Sequence, residues 1–187
     1  MSHPIYFNKI CNDAMFLEQL VSGSKTYVST IHVIYQGGKE HDWQVTELDL
    51  AYEQYVAWLY ENVSALLIKC ATQTRIYQDS YSTECDMDLL EEDEESYSSD
   101  KEAYEYFSNV VEVISGKFHP SLRECCNKII HANSFELEFI SSEELSKYWN
   151  GICSLKGTLG KKDWHLKLDV FKFCCALQYF YDNEKHL

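Results

Sequence analysis

The chain has 187 residues, 45% of them hydrophobic, and a formal charge of −14. That length and apolar content suit a single domain over residues 1–187 with a substantial core, and they exclude wholesale disorder. No apolar run approaches the roughly 20 residues of a membrane span, and the charge leaves no global field to attract DNA.

The N-terminus shows no basic region followed by an apolar block, so a cytoplasmic protein is expected. "FNKICNDAMFLEQLV" sets Ile10, Ala14, Leu17 and Val21 on one stripe and predicts a helix ending at Gly23. "KTYVSTIHVIYQGG" is rich in β-branched residues, yet Val28, Ile31, Ile34 and Tyr35 fit helical spacing. It is read as a second helix, closed by Gly37 and Gly38. From a capping Thr46, the series Leu48, Tyr52, Tyr55, Leu59, Val63, Leu66 and Cys70 predicts a long helix to about Tyr77. A helix of that length normally forms the spine of a bundle.

Residues 84–100 carry nine acids and no base, which leaves −14 + 9 = −5 for the remainder. This run predicts a mobile acidic loop over 82–98. Ser99 and Glu102 open a helix carrying Tyr106, Val110, Val113 and Ile114 to Gly116, and Pro120 opens another over 120–132. "SFELEFIS" alternates as a half-buried strand, Ser141 and Glu144 cap a short helix to Trp149, and "ICSLKGTLG" reads as a partner strand. A last helix over 163–181 carries Trp164, Leu168, Phe171, Cys175 and Leu177. The expected fold is mainly α, a helical bundle with a small two-stranded antiparallel sheet inserted before the last helix.

Eight cysteines show no C-x-x-C spacing, and two pairs of them are adjacent in sequence. Without a secretory signal they read as small buried hydrophobes, neither disulfides nor a metal site. No cofactor and no metal are expected.

"LRECCNKIIHANSFELEF" holds the chemistry. Arg123, Asn127 and His131 recur every four residues, roughly 40° apart on a helical wheel, beside a buried arc of Leu122, Cys126, Ile129 and Ile130. An arginine stabilises phosphate charge, a histidine moves a proton near neutral pH, and an asparagine orients either group. Together they suffice for metal-free RNA cleavage with the 2′-hydroxyl as nucleophile. The plainer reading has Arg123 paired with an acid, His131 closing its helix, and Asn127 bonded within the bundle.

An arginine followed by N-x-x-x-H on a late helix resembles the HEPN superfamily of bacterial defence, toxin–antitoxin and nucleotide-binding-associated proteins. Asn127 and His131 match the N-x-x-x-H half. Cys126 stands where the family has arginine, and Arg123 lies one turn further back. The resemblance implies an all-helical domain, a homodimer with two motifs facing a shared cleft, and RNase activity in intact members. Inactive members bind or regulate.

The expectation is a regulatory or protein-interaction component of a bacterial defence or toxin–antitoxin system, with a protein partner or a second copy. The alternative is a metal-independent endoribonuclease, for which Lys117, Lys128, Lys161 and Lys162 would have to gather beside the motif and draw RNA against the net charge. A third reading makes the acidic run a nucleic-acid mimic or inhibitor.

Overall fold

A computed structural model describes residues 7–35, 47–85, 99–142 and 145–184. Nine elements follow in chain order among these: α1 (Phe7–Tyr35), α2 (Glu47–Cys85), α3 (Ser99–Tyr106), β1 (Val111–Ser115), α4 (Leu122–Ile130), β2 (Ser134–Ser142), β3 (Leu145–Leu159), β4 (Lys162–Asp169) and α5 (Val170–Glu184). The strands form one antiparallel sheet in the order β1-β4-β3-β2. This corrects the expected bundle with a two-stranded insertion.

The expected pairing is present, with Phe135 opposite Leu155 and Leu137 opposite Cys153, but it is only one half of the sheet. The other half, β1 and β4, and the first part of β3 come from segments that were read as helical. β4 takes the first turns assigned to the last helix. Its Trp164, Leu166 and Leu168 are buried while Lys162, Asp163, His165, Lys167 and Asp169 are not, a strict period of two. β1 replaces the end of the helix that stops at Tyr106; Asn109, at φ 62°, turns the chain into it. β3 begins at Leu145, where a short helix to Trp149 was expected.

β3 carries a bulge against β2, between the pairs Leu137–Cys153 and Phe139–Trp149. Gly151 sits in that bulge at φ 89°, pressed so close to Val21 that an added Cβ would lie 2.7 Å from its Cγ1. α1 can therefore lie directly across β3. The buried Ser24 hydroxyl locks the crossing, accepting from the Trp149 N–H at 3.0 Å and from the Tyr55 hydroxyl at 2.9 Å. One side chain thus ties α1, α2 and β3 together.

The helices cover the apolar face of the sheet. Leu137, Cys153, Leu155, Leu166 and Leu168 join Leu122, Cys126, Phe173, Leu177 and Tyr181 in one core. The opposite face is polar, with Ser154 bonded to His165 at 2.8 Å and Lys167 paired with Glu138 at 2.8 Å. An antiparallel sheet with one wet face has this alternation. Five of the seven described cysteines are buried in or beside the core and none is bonded to another, in line with their reading as hydrophobes. Burial pushes the Cys70 thiol up to about 12, with Asp13 adding to the shift.

α2 runs to Cys85, eight residues beyond its predicted end, and spans about 58 Å at 1.5 Å per residue. The acidic run expected to be mobile lies outside the described residues except for 82–85, whose backbone continues α2. Among the described residues no helix is long and apolar enough to cross a membrane.

α1 is one 29-residue helix, not two, because it passes straight through Gly23. Val28 and Ile31 bury on the same side as Ala14 and Leu17, so packing overrides the local cost of glycine. Nothing lies within 4 Å of a Cβ placed on Gly23. Gly23→Ala is therefore expected to stabilise the fold by about 0.5–1 kcal/mol, read as a higher urea midpoint. A lower midpoint would mean that the helix bends there.

Candidate functional site

The nine-residue helix α4 carries Arg123 and Asn127, and His131 is the C-cap residue that follows it. Ser121 caps it, extended at φ −167°, its hydroxyl accepting from the Glu124 N–H at 3.0 Å. Pro120 thus precedes the cap and is not the first helical residue. Of the expected buried arc, Leu122, Cys126 and Ile129 lie in the core, joined by Cys125, while Ile130 is only partly buried and lines the cleft described below. His131 closes the helix, its N–H donating to the Asn127 carbonyl at 3.0 Å.

Arg123 lies at the other end. Its guanidinium meets Asp79 of α2 at 2.6 Å, and its backbone N–H donates to Asp100 at 2.6 Å. The ion pair is about half exposed, so it contributes no more than about 1 kcal/mol. Its effect is to hold the guanidinium toward α2 and away from His131.

Asn127 and His131 do meet, on a cleft of about 600 Å³ between the C-terminal end of α4 and the β3–β4 hairpin. Glu124, Lys128, Asn133, Thr158 and Trp164 also line it, and Arg123 does not. His131 is exposed, and its imidazole finds no hydrogen-bond partner among the described residues. Asn127 Nδ2 donates to Glu124 Oε2 at 3.4 Å, and Lys128 Nζ pairs with Glu124 Oε1 at 3.4 Å. Lys128 is 6% exposed, and its ammonium lies 4.5 Å from the centre of the Trp164 ring. A cation over an indole face contributes on the order of 0.5–2 kcal/mol and fixes the lysine against the sheet.

Spacing alone missed Glu124 and Trp164, whereas Lys128 was already among the lysines expected beside the motif. The pair Glu124–Lys128 was legible as an i, i+4 match. Trp164 was not, because the segment around it was assigned to a helix.

Of the lysines expected to gather, Lys128 lines the cleft. Lys161 on the β3–β4 turn and Lys162 at the start of β4 are exposed, just past the lining residue Leu159. A second groove, between α1 and α2, is lined by Tyr27, Tyr35, Tyr55 and Trp58 and carries no charged side chain. Its polar groups are the Gln54 amide and tyrosine hydroxyls, with no charge to fix an ionic ligand. No three His, Cys, Asp or Glu side chains among the described residues are grouped to hold a metal ion.

Comparison with protein-family models, curated proteins and solved structures returns no match.

Proposed function

We propose that the protein is a binding or regulatory component rather than a nuclease, and that the cleft at the end of α4 receives its ligand or partner. The observation that carries this is the separation of the two groups that cleavage would need. Arg123 and His131 stand at opposite ends of α4, about 12 Å apart along its axis, and the arginine is engaged by Asp79. A histidine without its phosphate-stabilising partner has a weak claim to transesterification. Asn127 and His131, whose imidazole has no partner among the described residues, by contrast face an open cleft. A setting in a bacterial defence or toxin–antitoxin system rests on the N-x-x-x-H resemblance.

The test incubates the purified protein with bulk RNA in EDTA, beside the His131→Ala variant. Neither is expected to cleave, and cleavage by the parent alone would make the protein an RNase. In parallel, the tagged parent and an Asn127→Ala/His131→Ala variant are compared for what each retains from extract of the source cells. The parent is expected to hold a ligand or partner that the variant loses. Identical retention by both would remove the cleft from the function.

His131→Ala itself is expected to change stability by less than about 0.5 kcal/mol, because an exposed ring with no partner among the described residues leaves nothing there unsatisfied. A loss of 1 kcal/mol or more in urea unfolding would show a structural role.

A further inference from the structure

We infer that the cleft takes a phosphate group and that Glu124 is its built-in placeholder, an inference that rests on the cleft being the docking site. The Glu124 carboxylate gives one oxygen to Lys128 Nζ and the other to Asn127 Nδ2, each at 3.4 Å. Asn133 Nδ2 reaches Thr158 Oγ1, also at 3.4 Å. Good bonds of these types lie at roughly 2.7–3.2 Å, so three donors on one cleft are all loosely held. His131 adds a fourth polar group with no partner among the described residues. An acceptor-rich group seated here would draw each contact into the normal range.

The donors decide which oxyanion fits. A planar carboxylate is best matched by the fork of an arginine, and the nearby Arg123 is turned away onto Asp79. A point-charge ammonium with single amide donors arriving from α4 and from the segment after it matches a tetrahedral phosphate better. The C-terminal end of α4 opposes an anion with about half an elementary charge. Against it stand the full charge of Lys128 and the exposed Lys161 and Lys162 of the adjacent β3–β4 hairpin. Once Glu124 swings outward, the nearly buried Lys128 ammonium opens to the cleft without leaving Trp164.

The consequence is that Glu124 competes with the ligand. The full chain is titrated with inorganic phosphate while the backbone amides are followed by NMR. Saturable shifts are expected at Asn127, His131 and Asn133. Glu124→Gln removes the competing charge and keeps the side-chain shape, so it should tighten binding about tenfold. Lys128→Met keeps the stem against Trp164 and should abolish the response. Both variants are checked for an unchanged unfolding midpoint.

Equal or weaker binding by Glu124→Gln would overturn the placeholder. An acetate titration as tight as the phosphate one would overturn the choice of phosphate. Ribose 5-phosphate binding more tightly than a uridine dinucleotide assigns a terminal phosphate, and the reverse assigns a phosphodiester; either supports the inference. Should phosphate fail while the Asn127→Ala/His131→Ala variant still loses its retained partner, the docking reading stands and the phosphate assignment falls. Failure of both removes both.

Discussion

Replacing Gly157 with alanine is expected to destabilise the fold by about 3 kcal/mol, lowering the unfolding midpoint by roughly 6–12 °C for a chain of this length. An added Cβ would lie 2.3 Å from Cζ2 and 2.6 Å from Cε2 of Trp164, and 2.9 Å from the His131 carbonyl oxygen. None of these atoms can yield cheaply. Trp164 is 5% exposed, and the Lys128 ammonium sits over its ring. Behind it is Gly116, whose own added Cβ would be 2.6 Å from the Trp164 Cβ. Two glycines thus press on one tryptophan, Gly157 on its ring and Gly116 on its Cβ and backbone, and the floor of the cleft depends on both.

The control is Gly160→Ala on the β3–β4 turn. There nothing lies within 4 Å, and only the positive φ of 63° resists the substitution, at about 1–2 kcal/mol. If Gly157→Ala unfolds no more easily than Gly160→Ala, the close approach of Gly157 to Trp164 is wrong. Adding Trp164→Phe should recover part of the loss, and a double-mutant cycle gives the coupling.

The same tryptophan explains what spacing could and could not reveal. Trp164 and Leu168 stand four residues apart, an interval that fits one face of a helix and one face of a strand alike. Leu166 breaks the tie, since it buries between them and a helix would turn it to the far side. Val110, Val113 and Ile114 posed the same ambiguity. Their β-branched run was the better guide, and β1 starts within it. The long pattern in α2 was unambiguous, because seven apolar positions at 3–4 spacing have no strand equivalent.

Gly23 misled in the opposite direction, as a stop signal inside a helix that tertiary packing carries through. On α4, amphipathicity placed Asn127 and His131 correctly at the margin of the core. It could not show that Asp79, 44 residues away, would capture Arg123. Nor could it bring the β3–β4 hairpin over the end of the helix. Those are contacts between distant segments, and local periodicity carries no information about them.

Asp100→Ala is expected to cost about 2–3 kcal/mol, because it orphans two donors at once. Asp100 Oδ1 accepts from the Gln78 side chain at 2.8 Å and from the Arg123 N–H at 2.6 Å, so this carboxylate joins α2, α3 and the first turn of α4. Gln78 is buried, and no solvent replaces what it loses. Asp100→Asn keeps an acceptor oxygen in place and should cost less than about 1 kcal/mol. The carboxyl also carries a pH signature. Burial raises its pKa above the ordinary aspartate value, and the hydrogen bonds from Arg123, Gln78 and Ser121 only partly offset that. A raised folded value means the folded chain holds this proton more tightly than the unfolded chain does. The stabilisation is therefore complete below the unfolded value near 4 and is lost as pH rises through the folded value. Asp100→Asn removes that slope, so relative to the parent it should fare better at pH 7 than at pH 4. Urea unfolding of both proteins at the two pH values measures the difference. A shift in the other direction would mean that the α4 amides, not burial, govern the carboxyl.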